Sequence, residues 1–463
     1  MTNDYLTKED ISLFTSGSRF QISTVLLKEK MEKDVATFDL FVRELPKERN
    51  YLFFAGLERA VNYFLNLKLN RKQIVWLKKT GISKEGLAYF KKFRFTGDVQ
   101  AMKEGSIIFP NEPLIRVTAP IIEAQFVEWC LINFVFLETI LASKFSRFVE
   151  AAGGKEVVFG YNRSYGPDTA MRAVRLDQIF GIPTSLMTYF YKHNLPPSFN
   201  AGSFHYLIMS FDKELAAFRS YLKHLHGRGY LLVDTYNSKN GVINFIKAAK
   251  EFEKETKLRV TGIQLDSGDL LSLSKMARTM MDRAGLKHAK IFAMGNLNEK
   301  KVAALEKAGA AIDVYGGTTE MMTPVDAPTI ELVYKLAELE RNGKILPKMK
   351  LSLEKKSYPG KKQVFRLKKN GRYVKDIIGL DGEKLPGEKL LMPVVKKGKL
   401  VRKMPTLKQI GDFYRKEKIK FSPEMFDVNK KFNYPVGVSS ELKKLAKRTK
   451  TEIERAHHYD SEL

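Results

Sequence analysis

Two carboxylates follow an apolar, strand-like run in residues 260–270, whose sequence is VTGIQLDSGDL. Asp266 and Asp269 are separated by Ser267 and Gly268, and apolar residues then recur at helical spacing. The two carboxylates therefore lie on a predicted strand-to-helix loop, which is where ligands bind in α/β folds. Ser267 or Asp269 could instead cap the helix that follows, because Ser and Asp accept hydrogen bonds from free helix amides.

The same order of strand, polar turn and helix recurs in neighbouring segments. These segments place polar or glycine residues at the ends of predicted short strands: Asp234, Gly295, and the turn made of Gly316, Gly317, Thr318 and Thr319. Together with the loop at Asp266 they form four successive units. Such a series predicts a parallel sheet or barrel whose turns share one face.

Two features near these units could bind or transfer phosphate. The turn at 316–319 has the composition of a phosphate cradle, because glycine lets backbone N–H groups approach an anion and threonine adds hydroxyl donors. A plain tight turn is the alternative. His205 follows Gly202 and Ser203 and precedes an apolar run, a setting in which a histidine is more often structural or solvated.

A family resemblance extends over nearly the whole chain. The sequence resembles the nicotinate phosphoribosyltransferases, and the order and spacing of its matching stretches are as in that family. The stretches are ATFDLFVRELPKERNYLFFAGLERA, FPNEPLIRV, EAQFVEWCLINFVFLETILASK, GYNRSYGPD, GSFHYLIMSF, LLVDTYNSKNGV, LDSGDL, YGGTTEMMT and YPGKKQVFR.

The resemblance implies transfer of a phosphoribosyl group from phosphoribosyl pyrophosphate to nicotinate, which gives nicotinate mononucleotide and pyrophosphate. It also implies ATP hydrolysis coupled through a phosphorylated histidine, and His205 stands at that position. Asp234 and Asp266 are expected to orient His205 or to help bind magnesium and the ribose hydroxyls. We expect Mg²⁺ to be held by Asp266 and Asp269 through phosphates.

The resemblance also implies a set of substrate-binding residues. Arg163 is expected to contact the pyridine substrate or a phosphate, and the turns at Gly295 and at 316–319 are expected to hold the 5′-phosphate. The full predicted substrate-binding set is Arg163, Gln264, Ser267, Gly268, Asp269, Gly295, Gly316, Gly317, Thr318 and Thr319.

Departures from the family pattern concentrate where the base should bind. Ser16 and Ser18 stand where an aspartate and a stacking tyrosine are expected, with Phe20 as a candidate replacement for the aromatic surface. Asn162 and Gln264 replace arginines, so that fewer cations face a carboxylate substrate, although Arg163 and Arg172 could still neutralise nicotinate. Thr318 stands where the family pattern favours glycine.

Composition bounds the class of protein. A chain of 463 residues with 44% hydrophobic content can bury one large core and that of a second domain. The one cysteine, Cys130, is expected to pack in the core. Residues 121–142 are interrupted by glutamates and predict a buried helix pair rather than a membrane span, and the N-terminus lacks a signal-peptide pattern, so we expect a cytoplasmic protein.

The net charge of +27 is concentrated at the C-terminal end. Residues 341–463 carry 33 Lys and Arg against 14 Asp and Glu. This indicates a solvated basic surface, with nonspecific RNA binding or attraction of polyanionic substrates as alternatives. Because the usual nucleic-acid-binding modules are missing from the sequence, we expect no specific nucleic acid partner.

The predicted fold is α/β, with an irregular parallel (β/α) barrel and a second α/β domain formed by the N- and C-terminal segments. Residues 1–145 and 345–463 are assigned to the second domain and 146–344 to the barrel. The resemblance implies a homodimer with shared active sites. Two alternatives to nicotinate turnover stay open, namely the same chemistry on nicotinamide or another base, and a non-catalytic relative that keeps the fold.

Overall fold

The structure is a computed structural model, and it describes residues 7, 9–196, 202–352 and 357–456. The strands are β1 (Val35–Val42), β2 (Leu52–Phe53), β3 (Asp98–Ala101), β4 (Ile107–Ile108), β5 (Pro113–Pro120), β6 (Glu156–Phe159), β7 (Tyr230–Leu232), β8 (Gly262–Leu265), β9 (Lys290–Ala293), β10 (Val314–Gly317), β11 (Leu332–Arg341), β12 (Lys344–Pro347), β13 (Lys362–Lys369), β14 (Arg372–Leu380), β15 (Glu388–Lys389), β16 (Met392–Lys396), β17 (Lys399–Leu400) and β18 (Val436–Val438). The α-helices are α1 (Gly17–Lys28), α2 (Leu57–Asn66), α3 (Arg71–Leu77), α4 (Lys84–Lys91), α5 (Ile121–Phe126), α6 (Glu128–Ala151), α7 (Pro167–Phe180), α8 (Met187–His193), α9 (His205–Met209), α10 (Glu214–His224), α11 (Ser238–Thr256), α12 (Leu270–Arg283), α13 (Glu299–Lys307), α14 (Thr319–Met322), α15 (Leu407–Lys418) and α16 (Ser440–Ala456).

The central element is a parallel sheet of five strands in the order β6-β10-β9-β8-β7. Strands β7 to β10 are neighbours in chain order and β10 returns to β6, which is the order found in (β/α) barrels. An isolated parallel bridge between Gly202 and Tyr230 extends the β7 edge. The predicted α/β fold and the four parallel units are therefore confirmed, whereas closure of the barrel stays a prediction.

Side chains alternate between the two faces of this sheet, as strand geometry requires. One face packs beneath the helices in the largest hydrophobic core, to which it contributes Leu231, Ile263, Leu265, Ile291, Ala293 and Tyr315. The other face carries a small separate cluster of Tyr230, Phe292 and Val314, with Val158 and Met294 packed against it. We call this second face the inner face. Gln264 and Asp266 alternate with Ile263 and Leu265 along the chain, so they belong to the inner face.

The helices after the barrel strands begin at residues suited to cap them. Asn237 accepts a hydrogen bond from the amide of Asn240 at the start of α11, and Asn298 caps α13 in the same way. Asp269 caps α12. Each cap fixes where a helix starts, and it therefore fixes the length of the loop that carries the polar residues.

A seven-stranded antiparallel sheet in the order β12-β11-β1-β5-β3-β16-β17 forms the second layer. Its strands come from the N-terminal segment, from residues 332–347 and from residues 392–400. The prediction placed residues up to 344 in the barrel. Strand β11 and the start of β12 lie within that limit, yet β11 pairs with β1 and β12 pairs with β11. We therefore propose a domain boundary between α14 and β11.

The basic C-terminal segment contains a β-hairpin. Strands β13 and β14 pair antiparallel across Asn370 and Gly371, whose φ angles are +52° and +78°. Two successive positive φ values are those of a type I′ hairpin turn. A four-stranded sheet in the order β15-β13-β14-β18 results.

Residues 121–142 fall in the successive helices α5 and α6. Within the described residues, α6 is the one helix long and apolar enough to cross a membrane by length and composition, and 72% of its apolar window is buried inside the protein. It packs against α2, α7, α13 and β11. Cys130 lies buried in it as a free thiol, as expected. Helix α6 thus connects the two layers.

Candidate active site

The loops after β7 and β8 are joined at the carboxyl edge of the parallel sheet. Asp234 accepts hydrogen bonds through Oδ2 from the backbone N–H of Asp266 at 3.0 Å and from the Ser267 hydroxyl at 2.6 Å. Because β7 and β8 are adjacent parallel strands, their ends bring residues 32 and 33 positions apart into contact. Asp234 therefore fixes the loop that presents Asp266.

His205 is the first residue of α9 and faces this loop. Its Nδ1 lies 3.1 Å from the Thr235 hydroxyl and its Nε2 lies 3.9 Å from Oδ2 of Asp266. The two side chains are 43% and 40% exposed, so a ligand can reach them. The structure thus brings the three predicted catalytic residues together, with Asp266 beside the histidine and Asp234 behind Asp266.

Thr235 is a contact that sequence reasoning missed. It lies in the polar turn after β7, and no role is assigned to it from the sequence. The signal that could have found it is its position directly after Asp234 at a strand end, where side chains converge on one site.

The local electrostatics hold Asp266 at a raised pKa. Burial raises the pKa of this carboxyl, the neighbouring Asp234 raises it further, and His205 opposes both effects. The Oδ1 atom of Asp234 is buried without a hydrogen-bond partner in the part of the chain that the structure describes. Two carboxylates and one imidazole therefore lie together in a partly buried site at the ends of the strands.

Asp269 plays the capping role that was one of its two predicted alternatives. Its carboxylate accepts hydrogen bonds from the backbone N–H groups of Leu271 at 3.1 Å and Ser272 at 3.3 Å. Hydrogen bonds from Ser272, and then from Leu271, lower the pKa of Asp269. Ser267 donates to Asp234 instead of capping, and Gly268 supplies the positive φ of +80° that this turn needs.

The turn after β9 approaches the Asp266 loop closely. Gly295 has a φ of +94°, and a Cβ atom there would lie 2.0 Å from the backbone oxygen of Asp266. Only glycine fits both the backbone angle and the contact. The predicted turns at 266 and 295 are therefore adjacent.

Gly316 and Gly317 are the last residues of β10, which corrects the prediction that they follow the strand. They pair with Val158 and Phe159 of β6. A Cβ atom on Gly316 would lie 2.5 Å from Cγ of Met294, so the strand needs glycine to pack here. Thr318 alone separates β10 from α14, which begins at Thr319. The first amides of a helix have no intrahelical partner and suit an anion.

Comparisons with known proteins show the family to which the chain belongs. Family models described as the nicotinate phosphoribosyltransferase N-terminal and C-terminal domains match residues 13–136 and 386–446. Nicotinate phosphoribosyltransferase pncB2 of Mycobacterium tuberculosis is 36% identical over 455 residues, which cover 97% of this chain and 95% of that protein. The chain belongs to the nicotinate phosphoribosyltransferase family. The Bacillus subtilis nicotinate phosphoribosyltransferase is 35% identical over 398 residues, covering 84% of this chain and 80% of that protein.

Two solved structures share the fold. Human nicotinic acid phosphoribosyltransferase aligns with a TM-score of 0.81 at 22% identity, covering 94% of this chain and 99% of that one. Nicotinate-nucleotide pyrophosphorylase from Pyrococcus furiosus aligns with a TM-score of 0.70 at 19% identity, covering 91% and 99%. The fold is therefore that of the family over nearly the whole chain.

Within this family fold, Gln264 lies on the inner face of the sheet. It is 6% exposed, and its Nε2 lies 3.4 Å from the Met294 sulfur, beside the cluster that contains Tyr230 and Phe292. A neutral side chain thus occupies the position where the family pattern has an arginine. The side chains that cluster next to it on this face are apolar or aromatic.

The two candidate cations for a carboxylate substrate differ in how free they are. Arg163 is exposed in the loop between β6 and α7, as is Asn162, and Arg163 makes no ion pair with any described residue. Arg172 is buried, pairs with Asp168 at 2.7 Å and lies over the ring of Phe134. Arg163 is therefore the more accessible cation, whereas Arg172 is buried and paired with Asp168 but keeps its Nη1 without a hydrogen-bond partner among the described residues.

Ser16, Ser18 and Phe20 lie on the N-terminal layer, at or in α1. Ser16 caps α1, and the two serine hydroxyls lie 2.8 Å apart. Phe20 is 6% exposed and packs against Phe90 and Phe126. Phe20 is thus a core residue, which rules it out as an exposed aromatic surface in this conformation.

Oxygen donors for a magnesium ion are few but suitable. Among the described residues no group of three or more His, Cys, Asp or Glu side chains could hold a metal ion by itself. Mg²⁺ is commonly held by one or two carboxylates together with substrate phosphates. The partly exposed Asp266 and the unpartnered Oδ1 of Asp234 fit that mode.

Proposed function

We propose that this protein transfers the phosphoribosyl group of phosphoribosyl pyrophosphate to nicotinate, forming nicotinate mononucleotide and pyrophosphate for NAD salvage. The pyridine nitrogen attacks the anomeric carbon as the bond from that carbon to pyrophosphate breaks. Family membership over 97% of the chain supports this reaction. The single structural observation that carries it is the convergence of His205, Asp266 and the glycine turn at Gly295 on one edge of the sheet.

ATP hydrolysis is proposed to be coupled through His205. The terminal phosphoryl group of ATP passes to one imidazole nitrogen, with a P–N bond formed and the P–O bond to ADP broken. Each ring nitrogen has a polar neighbour, Thr235 at Nδ1 and Asp266 at Nε2. The nitrogen that carries the proton donates a hydrogen bond to its neighbour, and the lone pair of the other nitrogen is free to attack phosphorus.

Asp266 and Asp234 are the proposed holders of Mg²⁺, together with substrate phosphates. The bound ion supplies charge stabilisation to the departing pyrophosphate. Asp234 also keeps the Asp266 loop in place through its two hydrogen bonds. Asp269, whose carboxylate caps α12, is at most an outer member of this set.

The 5′-phosphate is proposed to bind at the turns that begin at Gly295 and at Thr318. Glycine at 295, 316 and 317 lets the backbone come close to neighbouring loops, and the first turn of α14 offers amides and the hydroxyl groups of Thr318 and Thr319. Gly268 and Ser267 shape the ribose side. Arg163 is the cation proposed to meet the nicotinate carboxylate or a phosphate.

A neutral base is the second candidate substrate, and Gln264 is the observation that favours it. This buried amide contacts Met294 on the inner face, beside the cluster of Tyr230, Phe292 and Val314. A side chain that neither pairs with nor repels a carboxylate would accept nicotinamide or a related neutral ring. A non-catalytic relative would keep the same pocket without turnover.

The proposed assembly is a cytoplasmic homodimer with active sites that include residues from both chains. Exposed aromatic side chains support this assembly. They lie in residues 165–236, the stretch of chain that contains His205, and are Tyr165, Tyr191, Phe204, Tyr206 and Tyr236. Aromatic side chains are enriched at interaction surfaces, and Phe204 and Tyr206 stack on each other here.

Initial rates with phosphoribosyl pyrophosphate test the proposed reaction. We expect nicotinate mononucleotide and pyrophosphate to form, faster with ATP than without, and nicotinate to be used in preference to nicotinamide. ATP labelled at its terminal phosphate should leave acid-labile label on the protein. His205→Ala should lose this label, whereas His224→Ala, at the exposed end of α10, should keep it.

Each result decides one part of the proposal. Absence of pyrophosphate release with every pyridine tested would overturn the enzymatic function. Faster turnover of nicotinamide would replace nicotinate by the neutral base. Equal labelling of His205→Ala and the parent would remove the phosphohistidine step while leaving glycosyl transfer intact.

A further inference from the structure

A buried network of charged side chains lies behind the two proposed phosphate turns. Lys144 Nζ contacts Oε2 of Glu299 at 2.7 Å and Oδ1 of Asp326 at 2.9 Å. Arg147 Nε lies 3.0 Å from Oε1 of Glu299, and Arg49 pairs with Asp326 and lies 3.6 Å from Glu299. Four of the five side chains are at most 3% exposed, and Asp326 is 24% exposed.

The carboxylates of this network lie shortly after the two turns along the chain. Glu299 is the first residue of α13 and follows the turn that begins at Gly295. Asp326 follows α14, the short helix after β10, and Glu320 of α14 lies 3.9 Å from Lys144 Nζ. Lys144 of α6 therefore contacts the first turns of both α13 and α14, the helices that follow the two turns.

Stability alone is a poor explanation for such a network. Burying charges is costly, and an apolar replacement of similar volume is often as stable or more so. The network is also incompletely satisfied, since Nη2 of Arg49 and Nη2 of Arg147 are buried without a hydrogen-bond partner among the described residues. What the ion pairs provide is a defined position of Glu299 relative to Asp326.

We propose that Lys144, with Arg49 and Arg147, is a positioning residue that holds the Gly295 turn and the Thr318 turn at the spacing required by one phosphate group. This inference rests on the proposed function, because it assigns the network to the phosphoribosyl pyrophosphate site. None of the three cations needs to touch the substrate. Their action passes through Glu299 and Asp326 to the two turns.

Lys144→Met tests the proposal, since it keeps the length of the side chain and removes the charge. We expect the KM and the Kd of phosphoribosyl pyrophosphate to rise by about tenfold, less than the roughly hundredfold that a 1 Å misplacement can cost. The KM of nicotinate should change by less than about threefold. Lys144→Arg should recover part of the affinity, and Asp326→Asn, at the most exposed member, gives a milder variant if Lys144→Met folds poorly.

The matched control is Arg366→Met. Arg366 pairs with Asp376 at 2.6 Å in the β13–β14 hairpin, and both side chains are at most 2% exposed. This variant should lower the melting temperature as much as Lys144→Met does, with no change in the KM or Kd of phosphoribosyl pyrophosphate. Equal losses of affinity for phosphoribosyl pyrophosphate in Lys144→Met and Arg366→Met would show that the network is merely structural and would overturn the proposal.

Binding and turnover separate this inference from the proposed function. Calorimetric titration with phosphoribosyl pyrophosphate reports on the turns even if the parent turns over no pyridine. A parent that binds it without turnover, together with a weakened Lys144→Met variant, would support the inference and contradict the function. A parent that does not bind it would overturn both.

Discussion

At the scale of single residues, Asp266 meets two opposed requirements. In the proposed mechanism it lies close to His205 and to phosphates, yet its burial and the neighbouring Asp234 raise its pKa. A carboxyl with a raised pKa in the folded protein is destabilising once it is ionised. The site thus keeps a charge that folding disfavours, which is a common property of functional sites.

Asp266→Asn is therefore expected to abolish turnover and to raise the melting temperature at pH 7. The unfavourable ionisation of Asp266 is fully present above its raised pKa and disappears as the pH falls toward the ordinary aspartate value of about 3.9. The gap in melting temperature between variant and parent should therefore shrink from pH 8 to pH 4. Thermal scans across this range measure it.

Asp269→Asn is the control for this pH series. The pKa of Asp269 is lowered by its capping hydrogen bonds, so its stabilising contribution is lost only below the ordinary value. The difference in melting temperature between Asp269→Asn and the parent should stay constant from pH 8 to pH 4.5. A gap for Asp266→Asn that is also constant would contradict the electrostatic account of Asp266.

At the scale of elements, the carboxyl ends of parallel strands determine which residues meet. Strands β8 and β9 bring the Asp266 loop and the Gly295 turn into backbone contact, and β10 brings Thr318 beside Gly160. A Cβ atom on Gly160 would lie 2.7 Å from Cγ2 of Thr318. Small residues at strand ends therefore allow the loops to form one surface.

Gly295→Ala tests this close approach. The positive φ alone costs a non-glycine residue roughly 1–2 kcal/mol. The added Cβ would also lie 2.0 Å from the Asp266 oxygen, so the two turns must separate. We expect a loss of unfolding free energy clearly above about 2 kcal/mol and weaker binding of phosphoribosyl pyrophosphate. Urea unfolding and calorimetric titration measure the two effects.

Gly285→Ala isolates the contribution of the backbone angle. Gly285 has a φ of +86°, and a Cβ atom there would meet no other atom within 4 Å, because the residue lies at the surface just after α12. The unfolding free energy of Gly285→Ala should fall only by the cost of the positive φ angle, and the variant should bind substrate as the parent does. An equal loss in both variants would mean that the contact with Asp266 contributes nothing.

At the scale of the whole molecule, three separated stretches of chain build the antiparallel sheet. Helix α6 packs against β11 of this sheet and against α7 and α13, which flank the parallel sheet. The barrel side leaves aromatic residues exposed in the stretch that contains His205, among them Tyr191 at 88% and Tyr206 at 72%. In the C-terminal segment, α16 pairs part of its basic charge internally, as in Lys444 with Glu441 and Arg448 with Glu452. The exposed aromatic surface is therefore the better candidate for a partner chain.

Light scattering is expected to give a mass about twice the 53.0 kDa of one chain. Tyr191→Glu should shift this mass toward the monomer and lower turnover in parallel, because a charge would be buried in the interface. Ile419→Glu changes an apolar residue of similar exposure, 77%, just after α15 and should leave both unchanged. A fully active monomeric parent would contradict the shared active site.

The sequence by itself determined the α/β class, the parallel units, the candidate residues and the family resemblance, because strand-end motifs and helix caps are local signals. The tertiary structure decided what those signals could not. It placed residues 332–341 with β1, moved Gly316 and Gly317 into β10, buried Phe20 and engaged Arg172 with Asp168. It also joined Lys144 to Glu299 and Asp326, which lie far along the chain. These outcomes depend on contacts between distant segments, and no local pattern encodes which segments will be neighbours.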